Sequence, residues 1–230
     1  MNNQIETPIL KTQGLNQFYA KVYSFFAIGL GLSALTAFLG ATVYQEQTLN
    51  FINGFPLGFV GLWLVEIILV IVLSRKAESN PALSVAGFIV YSLLNGVTLS
   101  VTFLMYDLGT VYTALAVASV TFIVSAVFGV FTKRDLSAVG RICINLLIGI
   151  IVASLVNVFL LRSAPVDLFI SFVTVFVFVG LTAKDNQMIR RFYAKYSEEN
   201  TGIAAFIALQ LYLDFINLFL AILRIIGRND

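Results

Sequence analysis

The chain has 230 residues, of which 59% are hydrophobic and 11% are charged, and its mean hydropathy is +0.94. Soluble domains carry about 25% charged residues, so this composition excludes a soluble protein and predicts a polytopic membrane protein. The net charge of +2 is too small to indicate a nucleic-acid partner, the lack of histidine excludes imidazole metal sites and proton relays, and a single cysteine excludes an internal disulfide.

A polar segment begins the chain and is followed by a series of long apolar runs. Residues 1–17 are polar and contain Pro8, which predicts a short disordered tail that we place in the cytoplasm. A hydrocarbon core of about 30 Å needs roughly 20 apolar residues per helix. Residues 18–230 are therefore predicted to form one all-α domain, a bundle of seven transmembrane helices. The predicted spans are residues 20–42, 55–74, 84–105, 111–131, 141–161, 166–185 and 203–226.

Turn residues and charges separate the predicted spans and predict loops at residues 45–54, 75–81, 106–109, 132–140, 162–167 and 186–202. With the N-terminus in the cytoplasm, eleven of the fourteen Lys and Arg residues fall on the cytoplasmic side, as the positive-inside rule expects. The C-terminus then lies outside if the last segment spans the membrane, and in the cytoplasm if that segment is re-entrant. The sequence leaves both possibilities open.

Two carboxyl groups fall near the middle of predicted spans, Glu66 and Asp214, each at about the twelfth residue of its span. A charge at that depth costs roughly 2.5–3.5 kcal/mol on insertion scales, so such a residue is usually functional or paired. Asp185 ends the sixth predicted span beside Lys184, where an aspartate is usually solvated. Glu66 and Asp214 could instead be structural groups that hydrogen-bond a neighbouring helix.

The last predicted span carries a stripe of polar residues. At 100° per residue the stripe spans about 80° of the helix surface, and the other faces are apolar. We therefore expect this helix at the centre of the bundle, lining a pathway or a closed pore. The members of the stripe are Gln210, Asp214, Asn217, Arg224 and Arg228.

Three further side chains are predicted to have structural roles. Asn95 and Asn157 lie within predicted spans and are expected to hydrogen-bond between helices. Cys143 is expected to be a buried and inert thiol.

Several segments resemble those of a known family. The segment LQLYLDFINLF, residues 209–219, is similar to the last-helix signature of the Bax inhibitor (transmembrane Bax-inhibitor-motif) family. DNQMI, residues 185–189, resembles its sixth-helix Asp-x-Gln motif, and TKRDLS, residues 132–137, resembles its connecting-loop motif. Glu66 matches a second-helix glutamate, and the resemblance covers all seven predicted spans in order.

The resemblance implies a fold in which six helices surround the last one. It also implies a pH-sensitive calcium leak in a bacterial plasma membrane, closed on the cytoplasmic side by two aspartates that share a proton. Asp185 and Asp214 match these positions. A basic residue at the end of helix two would pair with Asp185 when the pathway opens, and either Arg75 or Lys76 fits, with Arg75 preferred for its bidentate geometry.

Two carboxylates in contact and out of water cannot easily both ionise, so the pair is expected to respond to pH as one unit. Asp185 and Asp214 are expected to bind calcium weakly, with Glu66, Gln210 and Asn217 as further cation-coordinating or pore-lining groups. No cofactor is expected. The expected partners are the lipid bilayer, calcium, protons and, in one alternative, another membrane protein.

Two other functions remain open. A proton-coupled secondary transporter would also use a membrane carboxylate, although we find no inverted repeat or matched pair of broken helices. A membrane regulator without transport activity, acting for example on a membrane protease, is the second alternative. An enzyme is not expected, because the sequence has no Ser/Lys, His/Asp or zinc-ligand arrangement and its aspartates do not resemble the motifs of intramembrane aspartyl proteases.

Overall fold

The computed structural model describes residues 6–196 and 200–229, with the backbone alone for residues 6–12, 52, 56, 57, 59, 60 and 229. In this part of the chain every regular element is helical. A π-helical turn, Asn157–Leu161, extends α6, and a 3-10 turn, Gly227–Asn229, follows α8. The helices are α1 Glu6–Thr42, α2 Gln45–Gly54, α3 Pro56–Lys76, α4 Pro81–Met105, α5 Leu108–Phe131, α6 Ser137–Val156, α7 Ala164–Tyr196 and α8 Thr201–Ile226.

Side-chain caps mark the beginnings of two of these helices. Before α4, Oδ1 of Asn80 accepts the N–H of Leu83 at 3.0 Å. Before α5, Oδ2 of Asp107 accepts the N–H groups of Gly109 at 2.7 Å and Thr110 at 3.2 Å. Because the first N–H groups of a helix have no partner inside it, these caps place the helix starts within or next to the predicted loops 75–81 and 106–109.

Six of the described helices are long and apolar enough to cross a membrane: residues 13–42, 81–105, 108–131, 137–161, 164–196 and 201–226. They coincide with the first and the third to seventh predicted spans. The second predicted span, residues 55–74, falls on α3, and the total of seven spans stays a prediction. In α8 72% of the most apolar stretch is buried, against 6–44% in the other five; its central position also stays a prediction.

Three predicted boundaries are wrong. Residues 6–17 of the predicted disordered tail are the beginning of α1, while residues 1–5 lie outside the described part. The predicted loop 45–54 is the helix α2. Helix α7 does not end at Asp185 but continues to Tyr196. Hydropathy marks where an apolar run ends, whereas Gln, Met, Arg, Ala and Lys continue a helix readily after it, which explains the extension of α7.

By its internal packing the chain divides into two units. The first unit comprises residues 1–105 and 189–212, and the second comprises residues 106–188 and 213–230. Helices α7 and α8 contribute to both. In the first unit α1 and α4 approach each other at glycines, since a Cβ on Gly96 would lie 2.7 Å from the carbonyl oxygen of Ser33.

In the second unit glycines bring α5 and α6 against α7. A Cβ on Gly129 in α5 would overlap the carbonyl oxygen of Ala183. A Cβ on Gly180 in α7 would lie 2.6 Å from Sγ of Cys143 in α6. These close approaches fix the backbone of α7 directly before residues 184 and 185.

We predict that Gly129→Ala destabilises the protein by about 1–3 kcal/mol or more, because the added methyl group meets backbone that cannot rotate away. The measurement is the thermal unfolding midpoint of the purified protein in detergent. Gly149→Ala in α6 is the matched control, since a Cβ there has nothing within 4 Å. A Gly129→Ala protein as stable as this control would contradict the packing described here.

Candidate functional site

The two aspartates singled out from the sequence lie together in the second unit. Asp185 on α7 is 5% exposed and Asp214 on α8 is 4% exposed. Their carboxyl groups lie within hydrogen-bonding reach of each other. The expectation that Asp185 is solvated at a helix end is therefore wrong, because α7 continues past it and packing encloses the side chain.

A lysine completes this cluster. Nζ of Lys184 lies 2.5 Å from Oδ1 of Asp185, and the side chains are 16% and 7% exposed. Neighbouring residues of a helix point about 100° apart, so the lysine side chain must bend towards the carboxylate. From the sequence, Lys184 indicated only that Asp185 is solvated. The lysine side chain packs against Gly140 of α6, which is distant in the sequence.

One oxygen of the pair has no partner. Oδ2 of Asp214 is buried and accepts no hydrogen bond from the described residues. A buried carboxylate oxygen without a donor costs free energy, so this atom is the point at which a proton, a water molecule or a cation would stabilise the site. Cys143 of α6 is buried, as predicted, and its thiol is close enough to Asp214 to interact with it electrostatically.

Gln187, two residues after Asp185, anchors the loop between α5 and α6. Oε1 of Gln187 accepts the N–H of Leu136 at 2.9 Å, and Nε2 donates to the carbonyl oxygen of Arg134 at 2.7 Å. The Asp-x-Gln segment of α7 and the TKRDLS loop are thus joined by hydrogen bonds. Asn186 lies between Asp185 and Gln187 in the sequence, and its Nδ2 donates to the carbonyl oxygen of Thr182 at 2.7 Å.

Glu66 belongs to the first unit and has its own polar partners. It is 4% exposed on α3. Its Oε2 accepts from Nδ2 of Asn95 at 3.4 Å, and its Oε1 accepts from Oγ1 of Thr98 at 3.3 Å, both on α4. The prediction that Asn95 hydrogen-bonds between helices is confirmed.

Sequence analysis missed the residue that continues this network. The hydroxyl of Tyr212 on α8 donates to Oδ1 of Asn95 at 2.8 Å and lies 2.6 Å from Oγ of Ser33 on α1. Oγ of Ser33 also lies 2.6 Å from the carbonyl oxygen of Ser92. Buried hydrogen bonds therefore connect α3, α4, α8 and α1 inside the first unit. The tyrosine stands in the LQLYLDF segment, two residues before Asp214, which was the available signal.

The remaining predicted site residues are placed as follows. Gln210 is half-buried in the first unit, and Arg75 and Lys76 are exposed at the end of α3. Asn217 is half-buried in the second unit, where its Nδ2 donates to the carbonyl oxygen of Leu213 one turn back. Their pore-lining, cation-coordinating and gate roles stay predictions.

One observation bears on the predicted metal site. No three His, Cys, Asp or Glu side chains gather into a possible metal site within the part of the chain that the structure describes.

The prediction for Asn157 is wrong. It was expected to bond between helices, but its amide exchanges hydrogen bonds with the backbone of Ser163 and closes the turn after α6.

Comparison with known proteins gives consistent relatives. The sequence model of the family described as "Inhibitor of apoptosis-promoting Bax1" matches residues 15–230. An uncharacterized membrane protein of Streptococcus pyogenes serotype M1 is 42% identical over 218 residues, which are 94% of this chain and 95% of the relative. The inner membrane protein YbhL of Escherichia coli K12 is 38% identical over 221 residues, 94% of this chain and 93% of its own. A protein of Borreliella burgdorferi is 39% identical over 224 residues, 94% of each chain.

We predict that Gln187→Ala opens the loop between α5 and α6, because the backbone groups of Arg134 and Leu136 lose their partners. Each lost hydrogen bond costs about 0.5–1.5 kcal/mol, so the loop opens roughly ten times more often. Trypsin should then cut after the exposed Lys133 or Arg134 at a correspondingly higher rate. Cleavage at the rate of the unsubstituted protein would mean that the side chain does not hold this loop.

Proposed function

The chain belongs to the Bax inhibitor family and is a multi-pass membrane protein, and from that premise we propose that it is a calcium-permeable leak pathway in a bacterial membrane whose opening is controlled by the Asp185–Asp214 pair. The observation that carries the proposal is the contact between these two buried carboxyls on helices long and apolar enough to cross a membrane. Such a pair can bind protons and cations. A helix bundle that needed only apolar packing would not contain it, because buried ionisable groups are costly.

Electrostatics links the protonation of the pair to its geometry. Two unit charges about 4 Å apart repel by about 4 kcal/mol at an effective dielectric constant of 20. A single proton between Asp185 and Asp214 removes this repulsion and adds a hydrogen bond, so the protonated pair stays in contact. Loss of that proton drives the carboxylates apart and separates α7 from α8 at this level.

The site supplies oxygen ligands for a cation once the proton has left. Calcium prefers carboxylate and carbonyl oxygens and takes six to eight of them. Asp185 and Asp214 provide too few for tight binding, which suits an ion that must also leave. Asn217 and Gln210 on α8, and Glu66, are the further oxygen donors that we propose along the pathway.

A basic side chain at the end of α3 completes the proposed cycle. When the carboxylates separate, Arg75 or Lys76 would take over part of the charge of Asp185. Both are exposed in the present conformation, and the guanidinium of Arg75 offers the better bidentate geometry.

We predict that calcium flux into proteoliposomes rises with pH between about pH 5 and about pH 8. Release of one proton opens the pathway, so flux below the midpoint should rise about tenfold per pH unit. The measurement is the entry of calcium into vesicles that contain a calcium-sensitive dye, at constant membrane potential. A flux that falls with pH would reverse the gating scheme, and the absence of flux at every pH would favour a regulator that acts by protein interaction.

We predict that Asp185→Asn and Asp214→Asn each abolish the pH dependence of flux, because an amide neither takes up nor loses a proton in this range. The level of the flat profile should match that of the protonated pair, at least about tenfold below the maximum of the unsubstituted protein. Asp167→Asn is the matched control. It removes a carboxylate from the same helix, but one that is 48% exposed and lies 3.9 Å from Arg224. An unchanged pH profile in both pair variants would reject the proposed gate.

A further inference from the structure

We propose that Lys184 is a built-in competitor for the cation site, an ammonium group that occupies the Asp185 carboxylate until a permeating cation displaces it. This inference rests on the proposed function and adds to it the residue that sets how strongly the site binds cations. It starts from the contact between Nζ of Lys184 and Oδ1 of Asp185.

The pair has one filled position and one open position. Oδ1 of Asp185 holds the ammonium group, and the two carboxyls hold each other. Oδ2 of Asp214 is buried without a partner among the described residues. A cation that enters through the open oxygen meets the ammonium as its neighbour. Because two positive charges at that distance repel, the cation binds fully only when Lys184 moves away.

The second unit contains a place built for the lysine side chain. A Cβ on Gly140 of α6 would lie 2.9 Å from Cγ, 3.2 Å from Cδ and 3.3 Å from Cε of Lys184. The aliphatic part of the lysine thus lies directly against a residue that has no side chain. Lysine commonly buries its stem on such a surface while its charged end reaches a polar partner.

The charges of the cluster balance. With Lys184 protonated and one proton on the aspartate pair, the three groups are neutral together. The titratable groups that act on the pair among the described residues are Lys184 itself and, from α6, the thiol of Cys143. The ammonium group therefore supplies the positive charge that a cation at Asp185 would otherwise supply.

Removal of this charge leaves the carboxylate to the cation alone. In Lys184→Met calcium no longer competes with the ammonium group, so at high pH its half-saturating concentration falls about tenfold. A lysine that only supports the fold predicts no such shift.

The experiment measures calcium flux in proteoliposomes against calcium concentration, at several pH values, for Lys184→Met, Lys184→Arg and a control, Lys133→Met. Arginine keeps the charge and should leave the half-saturating calcium concentration within about threefold of that of the unsubstituted protein. Lys133 is an exposed lysine of the same unit in the loop before α6, and its loss should not change the half-saturating concentration.

A second variant, Gly140→Ala, displaces the Lys184 side chain without removing its charge. In Gly140→Ala the new methyl group pushes the lysine stem aside, so the same shift in the half-saturating calcium concentration should appear with a smaller size. Gly149→Ala, on the same helix but with nothing within 4 Å of the added Cβ, should behave like the unsubstituted protein. Loss of flux at every pH in Lys184→Met and Gly140→Ala, with a lowered unfolding midpoint, would assign Lys184 a structural role and overturn the inference.

The failure of this inference differs from that of the proposed function. If the unsubstituted protein shows pH-dependent flux that Lys184→Met leaves unchanged, the gate stands and the competitor role is rejected. If there is no flux at any pH, the leak function is rejected, and binding of radioactive calcium to the detergent-purified proteins at about pH 8 decides. Tighter binding by Lys184→Met than by the unsubstituted protein supports the competitor role, and equal or no binding overturns it.

Discussion

The cost of a charge buried away from water is the constraint on which the rest of this structure depends. Asp185 and Asp214 are buried where water cannot solvate them, so the protein must supply each stabilising group itself. It does so with an ammonium group from the next residue of α7 and with the partner carboxyl from α8. Glycines 129, 140 and 180 allow α5 and α6 to approach α7 closely enough to hold these groups in place. In this unit the small residues therefore support the charged ones, because close helix packing keeps lipid away from charges that it would destabilise.

The two units treat buried polarity differently. In the second unit the carboxyls of Asp185 and Asp214 are ionisable and lie close together, and Oδ2 of Asp214 accepts no hydrogen bond from the described residues. In the first unit Glu66 accepts from an amide and a hydroxyl, and the network continues through Tyr212 to Ser33. A satisfied network of this kind rigidifies the helices that it joins, whereas an unsatisfied one favours rearrangement. Helix α8 supplies Tyr212 to the first network and Asp214 to the second.

Hydropathy predicted the all-helical architecture and six of the spans, because the bilayer forces backbone polar groups into helices. It missed α2 and the extension of α7, where polar helix formers continue the chain, and it took residues 6–17 for a disordered tail. Asp214 was found from the cost of a charge in an apolar span, and Asp185 from the family motif. Lys184 and Tyr212 were not, because their roles depend on Gly140 and Asn95, residues distant in sequence whose proximity no local pattern encodes. The turn at Asn157 is a local feature, because its partner Ser163 lies only six residues away. It was missed because an asparagine within an apolar run was expected to bond to another helix.

The length of α7 makes lipid composition a variable for this protein. Asp185 stands 21 residues after the start of α7 at Ala164, which corresponds to about 32 Å along the helix axis. That distance is close to the thickness of a typical hydrocarbon core, about 30 Å. In a thick bilayer the carboxyl pair would lie among acyl chains, and in a thin one it would lie level with the hydrated headgroups. Flux through the same amino-acid sequence would then depend on the acyl-chain length of the surrounding lipids.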